Sequence, residues 1–335
     1  EFGVAAFSSE ELSERLAGLL GGHKTLFYEF FDFPVMDEII LDTLKQFKTQ
    51  LSKRQNPVTP QSVEFYRPVL SWQRQFKSTE ELEDLKVAVE ITREAFEASR
   101  KLLPELKSEN QVLATLQYHY RANGGISAFG DIVASGANAT CLHYTENNDS
   151  LIDKDSVLLD SGCEYNLMCA DVSRCYPVNG KFSEKTRAIY SIVLAANEAA
   201  IEQCVSGNTL RQVHRAACEV LAKGLLELGV VKGDLDEIIE NGALRKFYMH
   251  NTSHWLGMDV HDTGLYEHDG SAVKLQPGMI FTVEPGLYFN PDFSGEKTEY
   301  DGIGIRIEDD ILITEDGAFV LTNSIPKKLQ DIESA

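Results

Sequence analysis

The chain lacks a CxxC pair, an apolar run long enough to span a bilayer, and a secretory signal at its start. Its six cysteines, at positions 141, 163, 169, 175, 204 and 218, therefore read as reduced thiols in a cytoplasmic protein. Neither a disulfide framework nor a zinc knuckle is expected from them. Basic residues are also scarce, 31 Lys and Arg against 52 Asp and Glu, for a formal net charge of −21. Nucleic acids and anionic membranes both demand a basic footprint, so neither is expected as a partner. No repeat is visible residue by residue. The first residues are Glu1-Phe2, with no Met, which suggests a fragment or a processed form.

What is present is enough sequence, 335 residues, for one large domain or two ordinary ones. Residues 1–72 read as the end of an α/β unit. A capping box at Ser8-Ser9-Glu10-Glu11 precedes a helix burying Leu12, Leu16, Leu19 and Leu20. A strand-like Lys24–Phe31 and a helix over Met36–Leu51 come next, and Asn56–Pro60 is the clearest linker. Residues 73–335 form the main domain. Capping boxes at Ser78-Thr79-Glu80-Glu81 and Ser108-Glu109-Asn110-Gln111 open two helices, the first burying Leu82, Leu85, Val89 and Phe96. Ser183 and Thr209-Leu210-Arg211-Gln212 open two more, and two strong strands span Met279–Phe289 and Gly302–Thr314.

Twice, then, a helix pair leads to a strand pair bearing two acids: Asp160 and Asp171 first, Glu284 and Glu308 second. Two such halves about a pseudo-twofold axis bring four carboxylates together. The expected class is α/β (α+β), a mostly antiparallel sheet covered by helices. Around a turn at Glu164–Leu167, residue numbers of facing partners sum to 331, which sets Asp160 opposite Asp171. Opposed side chains share a face with Cβ atoms roughly 4.5–5.5 Å apart. Like charges so placed destabilise a sheet unless a cation lies between them or one carboxylate stands in solvent. Glu284 and Glu308 also sit inside apolar strands, where an unpaired charge is costly. Most other acids lie on helix faces or in loops, where solvation accounts for them.

Between the halves, Met249–Asp262 (MHNTSHWLGMDVHD) carries His250, His254 and His261, three of the eight histidines, and His143 lies in CLHYTEN. A single His is usually an ordinary polar residue satisfied by hydrogen bonds; three within twelve positions argue for a site. Carboxylates with one or two imidazoles are a hard ligand set suited to two divalent ions, manganese most naturally, with zinc or cobalt also compatible. HEXXH is absent, which excludes the thermolysin-like zinc peptidases.

Four segments, LLDSGCEYNLMCADVSRCYPVNGKF, HNTSHWLGMDVHDTG, FTVEPGLY and GIGIRIEDDILIT, resemble the motif set of the metallopeptidases with the pita-bread fold. Within these, residues 62–330 look most like the bacterial Xaa-Pro aminopeptidases, the aminopeptidase P family. The resemblance implies a pita-bread catalytic domain over 73–335, preceded over 1–72 by the C-terminal part of a creatinase-type N-terminal domain whose upstream half is missing. It implies metal ligation by Asp160, Asp171, His254, Glu284 and Glu308, with Asp171 and Glu308 bridging two metals. His143, His250 and His261 then line the substrate site, and Arg306 and Tyr288 match active-site positions. Glu284 becomes the proton shuttle and His261 the donor to the oxyanion, with a metal-bridging hydroxide attacking the bond before proline. Peptide substrates with proline second and a homo-oligomer, dimer or tetramer, are implied as well.

One departure from the family pattern is Ser173, where Thr is usual; its hydroxyl is expected to orient Asp171. Arg306 has a purely structural alternative, an ion pair to Glu308 or Asp309. At the level of function the alternatives are a prolidase restricted to Xaa-Pro dipeptides and a non-catalytic pita-bread binding protein. Creatinase-like hydrolysis uses the same fold without metals, whereas all five ligand positions are present here.

Overall fold

The computed structural model describes residues 6–51 and 58–333, so the Asn56-Pro57 part of the expected linker lies outside the described residues. The chain divides into two compact units, Glu1–Ser71 and Trp72–Ala335.

In the first unit, α1 (Leu12–Leu20) and α2 (Pro34–Leu51) accompany two short parallel strands, β1 (Thr25–Phe27) and β2 (Ser62–Glu64), paired Thr25 to Ser62. The strand expected over Lys24–Phe31 is only three residues long, ending at Phe27 where its partner β2 ends at Glu64. Leu19, expected inward, is exposed, as are Phe31, Phe33 and Val35. Two three-residue strands give this unit no second layer to cover them.

The second unit is built from the repeated order that the sequence suggested. Here α3 (Arg67–Arg74), which straddles the unit boundary, leads to α4 (Thr79–Leu102) and α5 (Glu109–Ala122), packed against each other. The Ser78 box caps α4 reciprocally with Glu81, while Leu85, Val89 and Phe96 point into the core. The Ser108 box does not form. Gln111 instead accepts from the Lys107 backbone N–H, one residue earlier.

The first half's strands come next: β3 (Ile126–Ser127), β4 (Ile132–Ser135), β5 (Ser156–Ser161), β6 (Cys163–Tyr165), β7 (Met168–Cys169) and β8 (Val172–Pro177), in two three-stranded sheets ordered β4-β5-β8 and β3-β6-β7. In the second half, α6 (Glu184–Glu202), α7 (Leu210–Glu227) and the short α8 (Leu235–Glu240) precede a small hairpin, β9 (Glu267–His268) and β10 (Ser271–Ala272). The strands β11 (Ile280–Val283), β12 (Gly286–Tyr288), β13 (Gly304–Arg306), β14 (Asp309–Thr314) and β15 (Gly317–Val320) complete it, with β14 between β11 and β15. Every named strand pair in this unit is antiparallel.

Apolar residues of both helix pairs, of β4, β5 and β8 and of β12 and β13, among them Phe96, Leu116, Leu159, Ile189 and Leu221, share one core. Truncating any of these to Ala would cost about 2–5 kcal/mol. The strands β11 and β14 pack with the α7 residues Val213 and Ala217 in a second core.

Two expectations are corrected by the strands. The hairpin pairs with numbers summing to 333, so Asp160 faces Ser173 and Asp171 lies beyond the end of that ladder. Its turn is the two-residue Asn166-Leu167, both left-handed at φ 47° and 69°, one residue later than expected. A leucine rarely adopts that conformation, so the sequence gives no warning. A shift of two preserves the face, so Asp171 stays on the side of the sheet that Asp160 occupies. Gly162 makes the transition between the two ladders: a Cβ there would stand 1.7 Å from the Ala170 carbonyl oxygen. The two long second-half strands are each broken as well, after Val283 and after Arg306. Glu284 and Glu308 stand at these breaks, the first ahead of Pro285, whose ring nitrogen has no proton to donate.

Candidate metal centre

A cleft of about 690 Å³ opens between the halves of the second unit. Each expected site residue, Asp160, Asp171, His143, His250, His254, His261, Glu284, Arg306 and Glu308, lines it. His254 is the hub. Its Nε2 lies 3.3 Å from Asp171, 3.5 Å from Glu284 and 3.9 Å from Glu308. Its Nδ1 is 3.2 Å from the Trp255 carbonyl and donates to it, which turns Nε2 toward the carboxylates. Backbone pairing fixes this position: Thr282 N donates to His254 O, and Glu284 N donates to Thr252 O. The segment 252–254 thus runs beside β11 and presents His254 next to Glu284.

Asp160 enters from β5, and its Oδ2 accepts from Arg306 Nη2 at 2.6 Å. This is the acidic partner of Arg306, rather than the Glu308 or Asp309 of the purely structural alternative. The same guanidinium donates to Tyr288 Oη at 2.9 Å and to Ser173 Oγ at 2.8 Å. Tyr288 in turn is 2.8 Å from His250 Nε2, whose ring donates through Nδ1 to the Asn251 carbonyl. Ser173 does not orient Asp171: its hydroxyl donates to Glu308 Oε2 at 2.8 Å, because the observed register carries it toward β13 and β14. Asp171 is steadied by Asp310, whose Oδ2 accepts from the Asp171 backbone N–H.

Charge at the site does not balance among the protein's own groups. Asp160, Asp171, Glu284 and Glu308 face one guanidinium. Burial first, then the neighbouring carboxylates, hold Asp171 and Glu308 well above the usual carboxylate range. Burial pushes Glu284 up to about 7, against the opposing pull of His254 and Arg306. His250 is pushed down to about 3 by burial and then by Arg306, so it stays neutral. His261, its ring 4.2 Å from that of His254, is lowered by burial and by that neighbour.

Two oxygens, Asp160 Oδ1 and Asp171 Oδ1, are buried with no hydrogen-bond partner. Ligand atoms of Asp171, His254 and Glu308 all lie within 4.8 Å of one another. Orphaned carboxylate oxygens, an imidazole nitrogen turned toward them and excess negative charge fit a hard divalent cation. The sequence alone did not single out Asp310, or the cleft residues Phe129, Leu142, Asn251, Ser253 and Tyr266. For Asp310 a signal existed, since it is the third acid in a row within an otherwise apolar strand.

Comparison with known proteins agrees with this picture. The profile of Metallopeptidase family M24 matches residues 83–315. The chain is 40% identical over 331 residues to the Xaa-Pro aminopeptidase of Escherichia coli, covering 98% of this chain and 74% of that one. It is 42% identical over 273 residues to the Haemophilus influenzae Xaa-Pro aminopeptidase, covering 80% of this chain and 62% of the relative. Among solved structures, Pseudomonas aeruginosa aminopeptidase PepP superposes with a TM-score of 0.89 at 37% identity, over 98% of this chain and 74% of that one. The zinc-substituted, product-bound aminopeptidase P of E. coli superposes with the same score at 40% identity, over 99% and 74%. The fold is the pita-bread fold that these aminopeptidases share, and the chain belongs to metallopeptidase family M24.

Proposed function

We propose that this protein is a two-metal Xaa-Pro aminopeptidase that releases the N-terminal residue of peptides with proline second. The observation that carries the reading is the unbalanced carboxylate cluster on the cleft wall, with two orphaned oxygens and His254 Nε2 turned toward it. Asp160, Asp171, His254, Glu284 and Glu308 are assigned as the ligands, with Asp171 and Glu308 shared between two ions, manganese for preference. Such a pair, when bound, supplies a nucleophile at neutral pH by lowering the pKa of water, and polarises the scissile carbonyl.

The remaining steps belong to the chain's own side chains. The substrate's amine lies toward Asp160, which Arg306 fixes in place. Glu284 carries a proton from the attacking water to the leaving imino nitrogen. His261, neutral and still bearing an N–H, donates to the developing oxyanion. His143 and His250 hold the proline side, and the Arg306–Tyr288–His250 chain keeps His250 in one tautomer and one orientation.

A prolidase is the second reading. Residues 1–72 are assigned to the C-terminal part of a creatinase-type N-terminal domain, and a homo-oligomer is expected. Six free thiols, five of them buried, accord with a reducing cytoplasm. No helix among the described residues is long and apolar enough to cross a membrane.

The test is a panel of Xaa-Pro, Xaa-Pro-Yaa and Met-Ala-Yaa peptides with manganese, cobalt and zinc. The tripeptide with proline second is the expected substrate, fastest with manganese. Cleavage of the dipeptide alone would make the protein a prolidase.

A further inference from the structure

The second-half strands keep one register across their break. Val283 pairs with Asp309 on one side of it and Gly286 with Arg306 on the other, so Glu284 stands opposite Glu308 in the gap. Their backbone N–H groups point away from each other, that of Glu284 to the Thr252 carbonyl and that of Glu308 to the Ser173 carbonyl. Beside them, the buried Ile307 donates to the Pro285 carbonyl at 3.2 Å. In an antiparallel ladder such a pair exchanges two bonds. Pro285 has no N–H to return, so the Ile307 carbonyl loses its ladder donor. A buried carbonyl in that position needs a donor from elsewhere.

The donor comes from a helix. Asn197 of α6, fully buried, turns its side-chain amide to this spot. Its Nδ2 donates to the Ile307 carbonyl at 3.3 Å and to the Val283 carbonyl at 3.0 Å, which uses both hydrogens of the amide. Its Oδ1 accepts from Lys327 Nζ at 2.7 Å, and Lys327 is itself held by Asp309 Oδ2 at 2.6 Å, so the amide has one orientation. One side chain thus ties together the two residues that directly precede Glu284 and Glu308, on different strands. Replacing the donor that Pro285 lacks takes a single bond. The second bond, to Val283, cross-links two ligand-bearing backbones. Resting on the two-metal reading above, we infer that Asn197 is a positioning residue of the centre, holding Glu284 and Glu308 in place for the cations.

Manganese titration calorimetry of the metal-stripped protein provides the test. Asn197→Leu and Asn197→Ala both lack the amide, the first at nearly the same volume and the second without risk of overpacking. Leu221→Ala, a core truncation in α7, serves as the control for lost stability alone. Manganese affinity is expected to fall about 10–100-fold in the Asn197 variants and to be unchanged in Leu221→Ala. A purely structural Asn197 would lower stability in all three variants and leave the affinity alone. Unchanged affinity in a folded Asn197 variant, or an equal loss in Leu221→Ala, overturns the inference. If the unsubstituted protein binds no manganese, the two-metal reading fails by itself, and amide hydrogen exchange of the metal-free protein decides the clamp. The Glu284, Ile307 and Glu308 amides are then expected to exchange about tenfold faster in the Asn197 variants than in Leu221→Ala. Equal exchange at these three amides overturns the inference.

Discussion

Two buried charge clusters lie side by side in the second unit, and they are settled in opposite ways. In one, Asp309 is fully buried between Arg174, 2.8 Å away and equally buried, and Lys327 at 2.6 Å. Burial alone would raise the Asp309 carboxyl, but Arg174 and Lys327 outweigh it and hold it far below the usual range. Asn197 and Thr322 fill the remaining hydrogen-bond positions of this cluster. In the other, which begins one residue away at Glu308, four carboxylates share Arg306 and leave two oxygens orphaned. The first cluster is complete as protein. The second is complete only with a cation added, and that difference, more than the number of acids, distinguishes a structural ion pair from a metal centre.

The comparison can be broken by substitutions on either side. The largest effect is expected for Asp171→Ala. Turnover should fall at least a thousandfold, about 4 kcal/mol of barrier, with bound metal lost and the metal-free stability unchanged or improved. Wild-type turnover in this variant would remove Asp171 from the centre. Asp309→Ala should do the reverse. It leaves two cations uncompensated and should lower stability by about 3–5 kcal/mol, read from the midpoint of chemical denaturation, while the folded fraction keeps its metal. His261→Ala ranks next, with turnover reduced by about 3 kcal/mol and metal content intact. Loss of metal in that variant would make His261 a ligand and displace His254 from the role.

A further effect is on pH. Carboxylates whose pKa is raised by folding stabilise the metal-free protein fully below their unfolded value, 4.5 for Glu284, and lose that contribution as pH rises through about 7. A metal must expel those protons. Its affinity should therefore weaken as pH falls from 7 to 5, about tenfold per pH unit for each proton displaced. Calorimetry at pH 6 in buffers of different ionisation enthalpy should detect more than one proton released. No proton release would mean that the carboxylates are already ionised, and the contrast between the two clusters would shrink accordingly.

Much of this was legible in the chain. Glu284 and Glu308 stood out as acids within apolar strands, and His254 as a histidine in a dense segment of them. The repeated helix, helix, strand pair gave the architecture. What stayed hidden depended on contacts that no local pattern encodes. Arg306 finds Asp160 146 positions away, whereas the structural alternative lay with its sequence neighbours, Glu308 or Asp309. The hairpin register turned on Leu167 accepting a conformation that leucine rarely adopts. Ser173 went with that register to Glu308. Pro285 lies in the break that follows Val283, inside a segment expected as one continuous strand. In both halves, acids of the site sit where a ladder ends, Asp171 just before β8 and Glu308 just before β14. There the backbone is freed to turn a side chain inward.

The most direct test is to strip the protein of metal and follow Ala-Pro-Ala cleavage as manganese is returned in known equivalents. Activity is expected to be absent at the start and to reach its plateau at two ions per chain. Full activity in the stripped, chelator-treated protein would contradict a cation-dependent centre, and a plateau at one equivalent would contradict a shared pair.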